Sequence, residues 1–415
     1  MIDSTFNVER VRSQFPSLSR ILDGKQAIYF DGPAGSQVPC SVVDRISECL
    51  LHHNANRSGR FVTSREVDEI MNQCHQVFCD FVGAASPESI AFGPNMTSLT
   101  LQFSRALSKE WRPGDRILVS SLDHDANFTP WVLAAKDAGA EVKVIRIRTS
   151  DATLNLASLD ELLNERTRLV AVTAASNAVG SLTPIREIAN RVHSVGAELF
   201  VDAVHMAPHK SIDVIDWDCD YLVCSAYKFF GPHIGVLYGR KDRMQSLIPY
   251  KLRPAPDNLP GRWMTGTQNH ACIAGAAAAV DYIASLSSIP ADHQNRRGRL
   301  MDAMSIISNY ETELITKLIE GLLSIPRFKV FGITDPNRMS ERAPTVSFQV
   351  AGATSIEVAQ RLGEQGVFAW HGNYYALPLT ESLGTEPAGM VRLGCMHYNT
   401  LEEVERTLAL LRTMS

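Results

Sequence analysis

The sequence predicts an α/β protein built on a doubly wound, mainly parallel sheet, followed by a smaller α+β unit. Three observations carry this. Apolar strand-like runs alternate with amphipathic helical segments between residues 115 and 225. Polar residues cluster at the carboxyl ends of those runs. After residue 270 the rhythm changes to small-residue helices and short strands. Strands separated by helices in this way imply parallel pairing with helices on both faces.

Taken in chain order, "REVDEIMNQCHQVFCDFVG" (65–83) reads as an amphipathic helix, with Val67, Ile70, Cys74, Val77, Phe78 and Phe81 on one face. "DRILVSS" (115–121) is a buried strand, and "NFTPWVLAAKDAGA" a helix ending in Gly139. "EVKVIRI" (141–147) is the next strand. "SLDELLNERT" (158–167) reads as a helix with Ser158 as N-cap and acids in its first turn. "RLVAVTAA" is a strand. The helix opened by Pro184 places Ile185, Ile188, Ala189, Val192 and Val195 on one face. "ELFVDAV" and "DYLVCSA" are strands again. Downstream come the helix "ACIAGAAAAVDYIASL", a polar stretch at 290–300, a further helix and the strand "TVSFQV". These are followed by the helix "SIEVAQRLGEQG", the strands "VFAW" and "GMVRLGC", and a last helix opened by a capping box at Thr400 and Glu403.

Composition narrows the function classes. The 415 residues are 45% hydrophobic and 20% charged, the mix of a soluble globular protein. A formal net charge of -5 disfavours a nucleic-acid or membrane-surface binder. The N-terminus lacks the basic and apolar regions of a signal peptide, and no apolar run reaches bilayer length, so a cytoplasmic location is expected. The eight cysteines are scattered without a CxxC pair, which favours buried free thiols over zinc ligation.

In an open α/β sheet, ligands gather at the carboxyl ends of strands. Here those ends carry Gly93, Asn95, Thr97 and Ser98 after "SIAF", and His124 after "ILVSSLD". They also carry Ser176 and Asn177 after "LVAVTAA", Asp202 ending "ELFVD", and Ser225 and Lys228 in "CSAYKFFGPH". Taken singly, a lysine beside aromatics is usually a snorkelling surface residue, and an aspartate after a strand a turn or cap. Together they suit pyridoxal phosphate, which requires a lysine amine and a carboxylate for its pyridinium nitrogen. Hydroxyls and N–H groups at a helix start suit its phosphate. Metal binding by His205 and His209 near Asp202 is the rival reading, but Pro208 disfavours the helix their spacing needs.

"YFDGPAGSQVP", "SLDHDANFTPW", "ASNAVGSLTPI", "FVDAVHMAPH", "CSAYKFFGPHIGVLYG", "GTQNHA" and "MVRLGCMHYNT" resemble the cysteine desulfurase / selenocysteine lyase branch of the class V aminotransferases, over nearly the whole chain. The resemblance implies pyridoxal-phosphate fold type I, the aspartate aminotransferase-like fold. It implies an N-terminal segment (1–24) packing with the small domain, a large cofactor-binding domain (25–285) and a small C-terminal domain (286–415). It implies that Lys228 bonds to pyridoxal 5'-phosphate, Asp202 pairs with the ring nitrogen, His124 stacks on the ring, and Asn177 and His205 approach the phenolic oxygen. Thr97, Met96, Ser225 and Tyr227 fall at cofactor-binding positions, the first, third and fourth toward phosphate. Thr267 is expected to reach the phosphate of the second subunit of a homodimer. Arg392 is expected to bind the carboxylate of a small amino-acid substrate, with Arg57 and Tyr375 as further substrate-side candidates.

Three positions depart from the desulfurase pattern. His205 stands where desulfurases usually have Gln, and Tyr227 precedes the lysine where they have His. Their nucleophilic loop cysteine is absent: "WHGNYYALPL" has Tyr375 there, and no cysteine lies from Ile273 to Gly394. Cys395, three residues from Arg392 on a strand, is expected to face the other way. The leading expectation is therefore a desulfurase-like C–S lyase acting by β-elimination without a persulfide-carrying cysteine. Transamination, racemisation or carbon–carbon bond formation from the same cofactor is the alternative, and a non-catalytic scaffold a third reading.

Overall fold

The computed structural model describes residues 6–291 and 295–414. Its larger sheet has seven strands: β1 (Ile90–Gly93), β2 (Arg116–Ser120), β3 (Glu141–Ile145), β4 (Thr167–Thr173), β5 (Glu198–Asp202), β6 (Tyr221–Ser225) and β7 (Gly235–Gly239). They lie in the order β1-β7-β6-β5-β4-β2-β3. The run from β3 to β6 is parallel, and β7 is antiparallel to both its neighbours. The central strands are apolar on both faces because both are covered. Val170, Val172, Leu199, Val201, Leu222 and Cys224 enter one core. The residues between them, Leu169, Ala171, Phe200, Tyr221 and Val223, enter a second core on the opposite face. The two-residue period of a strand thus assigns Cys224 to the interior of one face and Ser225 to the other.

The helices that cover these faces include α1 (Val62–Val82), α2 (Met96–Leu107), α3 (Thr129–Ala138), α4 (Leu156–Leu162), α5 (Ile185–His193) and α6 (His270–Ser285). Two local readings are corrected. The first helix starts at Val62, three residues before the expected Arg65, and stops where Gly83 turns left-handed at φ +71°. The helix after β3 is capped by Asn155, whose Oδ1 accepts from the N–H of Ala157 and Ser158 at 3.1 and 3.4 Å. Ser158 is buried inside that helix, and its hydroxyl accepts from Arg146 N–H at 3.1 Å. An Asx side chain one turn earlier outcompeted the serine.

The remaining chain forms α7 (Arg296–Leu323), α8 (Ser355–Glu364), α9 (Leu401–Arg412) and an antiparallel four-stranded sheet. Its strands are β8 (Phe328–Phe331), β9 (Thr345–Val350), β10 (Trp370–Gly372) and β11 (Met390–Gly394), in the order β8-β9-β11-β10. α7 begins inside the stretch expected to be a polar connection, of which residues 292–294 lie outside the described residues. "VFAW" is not one strand. Val367 and Phe368 pair in parallel with Ile28 and Tyr29, while Trp370 starts β10 against β11. The capping box at Thr400 and Glu403 opens α9. At the chain's described start, Arg12 pairs with Glu403 at 2.9 Å, and Phe6 packs against the cores of both parts. Among the described residues no helix is long and apolar enough to cross a membrane.

One close approach ties the sheet to the start of α2. A Cβ on Gly235 would lie 2.4 Å from the backbone carbonyl carbon of Asn95, the α2 N-cap. Strand β7 can pass there only as glycine. Gly235→Ala is expected to destabilise the fold by about 1–3 kcal/mol, read as a lower urea midpoint at unchanged slope.

Candidate active site

Parallel pairing of β5 and β6 sets Asp202 opposite Val223, so that both strands deliver their last residues to the same edge. Asp202 ends β5, and its Oδ1 accepts from Val204 N–H at 2.8 Å. Ser225 ends β6, and a single 3₁₀ turn, Ala226–Lys228, carries the lysine inward. The Lys228 amine donates to the carbonyl of Pro33. Asn95 caps the twelve-residue helix α2 by accepting from Ser98 N–H at 2.8 Å. The next N–H, of Met96, donates to the Ser225 hydroxyl at 2.9 Å, which fastens the helix start to the end of β6.

These elements border one partly open cleft. Lys228, Asp202, His124, Asn177 and His205 line it, together with Met96, Thr97, Ser225 and Tyr227. With Asn95, ten of the residues singled out from the sequence therefore converge, although they span the chain from Asn95 to Lys228. Burial controls the charges. It lowers the Lys228 amine to about 7, helped by the Arg392 cation and opposed by the Asp202 anion. It raises the Asp202 carboxyl to about 6, against the Val204 hydrogen bond and the Lys228 cation. It depresses His124 to about 4, assisted by Lys228 and Arg392, so the imidazole is neutral at physiological pH. His205 is likewise held neutral by burial, and its Nε2 lies 3.0 Å from the Thr345 hydroxyl.

Other predicted residues stand around the cleft. Arg392, on β11, donates from one terminal nitrogen to the Asn177 carbonyl at 2.8 Å. Burial brings it down to about 10, which leaves it a cation at neutral pH. Tyr375 is 72% exposed, and its ring lies parallel to that of His124, 5.5 Å between centroids and 19° between planes. Tyr227 stacks on His233 at 4.8 Å. Arg57 and Thr267 are not brought to this cleft. They share a separate surface depression, where Arg57 is paired with Asp68 at 2.8 Å. Ser176 and Ser98 do not line the cleft either. Cys395 is fully buried in the core beside the smaller sheet, and no cysteine lines the cleft among the described residues. His209, the partner of His205 in the metal reading, pairs through Nδ1 with Glu311 at 2.8 Å.

Three residues were not singled out from the sequence. Asp31 follows the apolar run "AIYF", and burial raises its carboxyl to about 6 against the pull of its own backbone and the Arg392 cation. The same strand-end signal that marked Asp202 would have found it. Asp123 is fully buried, accepts from Asn127 at 2.6 Å and from Ser120, and is raised by burial to about 8. Tyr374, in the turn after β10, carries no sequence signal at all, since its partner Arg392 is brought to it only by the pairing of β10 with β11.

The donor set fits a phosphorylated, hydroxylated pyridine. A helix N-terminus flanked by Thr97 and Ser225 hydroxyls suits an anion. A buried carboxylate suits a protonated ring nitrogen, a neutral imidazole an aromatic face, and a desolvated amine an aldehyde. The Asn177 Oδ1 is buried without a partner, a polar atom that a bound group would satisfy.

Known proteins resemble the whole chain. A family model, aminotransferase class-V, matches residues 28–407. A cysteine desulfurase of Pectobacterium carotovorum is 31% identical over 420 residues, covering 98% of this chain and 97% of its own. An aminotransferase-like protein of Gibberella zeae is 33% identical over 425 residues, covering 99% of both. Among solved structures, an apo cysteine desulfurase of Thermococcus onnurineus superposes with a TM-score of 0.87 at 27% identity, covering 100% of this chain and 99% of its own.

The charges yield a direct expectation. In cofactor-free protein, Lys228 should react with a small amine-acylating reagent with a midpoint near pH 7, well below ordinary lysines. Asp202→Asn removes an anion that favours the ammonium, so the midpoint should move down. Peptide mapping of the labelled lysine across pH checks both.

Proposed function

Because the chain belongs to the class V aminotransferase family, in its cysteine desulfurase-like branch, we propose that the cleft binds pyridoxal 5'-phosphate and cleaves the carbon–sulfur bond of a small, cysteine-like amino acid. The observation that carries this reading is the Lys228 amine, lowered to about 7 by burial and lining one cleft with Asp202 and His124. A scaffold protein has no use for a base tuned to neutral pH.

The roles follow from the chemistry of each group. When bound, the cofactor supplies an electrophilic aldehyde and a ring that accepts electrons from the substrate Cα. Lys228 would hold the cofactor and, with its amine free, would take the substrate Cα proton as general base. Asp202 would pair with the protonated ring nitrogen, and His124, a neutral imidazole, would lie against the ring. Thr97, Ser225, Tyr227 and the helix start around Met96 take the phosphate. Asn177 and His205 serve the phenolic oxygen. Arg392 takes the substrate carboxylate, and Tyr375 borders the substrate beside His124. In this reading the enzyme is a homodimer, and Thr267 and Arg57 serve the cleft of the second copy; their place on a separate depression of the same chain supports it.

With no cysteine lining the cleft among the described residues, sulfur would leave the substrate directly. Cysteine and water then give pyruvate, ammonia and hydrogen sulfide, with the Cα proton passing through Lys228 and the Cβ–S bond breaking. Transamination is the second reading, favoured by the similarity to the aminotransferase-like protein of Gibberella zeae.

Product analysis on the holoenzyme with L-cysteine separates these routes. Equimolar pyruvate, ammonia and sulfide are expected, with no protein-bound sulfur. Alanine with protein-bound sulfur would instead establish a persulfide route, and 3-mercaptopyruvate without sulfide would establish transamination. Lys228→Ala should abolish the tethered cofactor's visible absorbance and slow turnover by roughly 100-fold or more.

A further inference from the structure

Arg392 is 3% exposed, and its Nε is buried without a hydrogen-bond acceptor. A buried guanidinium usually has a carboxylate against it. Here Asp31 acts on the charge from a distance, and the close contacts are of another kind. One terminal nitrogen donates to the Asn177 carbonyl at 2.8 Å. The guanidinium carbon sits 4.3 Å from the centroid of the Tyr374 ring. The face of an aromatic ring attracts a cation without occupying its in-plane donors, and the attraction is larger in a desolvated place. A carboxylate would have claimed the same edge that a substrate needs.

Tyr374 is itself held by costly geometry. Its φ is +56° and that of Tyr375 is +59°, two successive non-glycine residues in the left-handed region. Hydrogen bonds fasten them, among them one from Tyr375 N–H to Asn373 Oδ1 at 3.2 Å. The Tyr374 hydroxyl donates to the Met390 carbonyl, Asn177 Nδ2 donates to the Tyr374 carbonyl at 3.0 Å, and Asp125 N–H donates to the Tyr375 carbonyl at 2.7 Å. Asn177 therefore ties the loop by its side chain and the guanidinium by its backbone. Arg392, Asn177 and Tyr374 form a closed triangle.

We propose that Tyr374 is a positioning residue for substrate recognition: its ring, stacked on Arg392 at 4.3 Å, keeps the guanidinium charged, oriented and free of a protein carboxylate, so that its unpaired Nε edge receives the carboxylate of an amino-acid substrate. This rests on the reading that Arg392 binds that carboxylate. The ring matters here and the hydroxyl is secondary, since it serves the loop.

The test is calorimetric binding to the holoenzyme of two probes, 3-mercaptopropionate, which has a carboxylate and no amine, and cysteamine, which has an amine and no carboxylate. Tyr374→Phe should bind both as the native protein does. Tyr374→Leu should weaken 3-mercaptopropionate about tenfold with cysteamine unchanged, and should raise the KM for L-cysteine with little change in kcat. Tyr374→Met, of similar volume, replaces the leucine variant if that fails to fold. Unchanged 3-mercaptopropionate binding in the leucine variant would overturn the proposal, and so would equal weakening of both probes. Arg392→Gln separates the premise: if it leaves 3-mercaptopropionate binding intact, the assignment of the carboxylate to Arg392 fails, whatever Tyr374 does.

Discussion

An amine removed from water at the end of a buried strand is the feature around which the rest of this molecule is arranged. Lys228 follows β6, every residue of which is buried, and its nitrogen finds a backbone carbonyl and no directly paired carboxylate. Taking a charge out of water without a close partner pushes a lysine toward its neutral form. The neighbouring groups then adjust. Asp202 supports the ammonium, while Arg392 opposes it, and the balance leaves the amine near neutrality. His124 and His205, in the same low-dielectric space, stay uncharged.

That arrangement needs two sheets. The seven-stranded sheet supplies Asp202, Ser225 and the turn to Lys228, all from the carboxyl ends of strands. The four-stranded sheet supplies Arg392 on β11 and Thr345 on β9, which reach Asn177 and His205 across the gap. Buried polar contacts span the same junction: His209 pairs with Glu311 of α7, and Ser347 of β9 donates to the Ala178 carbonyl at 2.7 Å. Such contacts are costly when unsatisfied, so the two parts are specified to meet in one register.

The loop from Asn373 to Ala376, where the resemblance to desulfurases implies a cysteine, follows β10. It holds instead two tyrosines that point to different tasks. Tyr374 turns inward under Arg392, and Tyr375 turns outward over His124. Consecutive left-handed residues send adjacent side chains apart at a sharp bend, and the strain is met by hydrogen bonds from Asn177 and Asp125.

Much of this was legible locally. The strand-end positions of Asp202, Ser225 and Lys228, the turning of Cys224 away from Ser225, and the capping box at Thr400 all follow from periods of two or 3.6 and from side-chain capping, which involve only neighbours in the chain. The composition and the ordered motifs likewise carried the family. Where local rules competed, they misplaced details: Asn155 took the cap from Ser158, and "VFAW" was divided between two pairings. The antiparallel β7, the stacking of Tyr374 on Arg392, the buried acids Asp31 and Asp123, and the separation of Arg57 and Thr267 from the cleft were decided only by the tertiary structure. Each depends on which strand lies beside which and on how far apart two sheets stand. Those are properties of the closed chain, since the energy of a buried charge is set by whatever the fold brings near it, however distant in sequence.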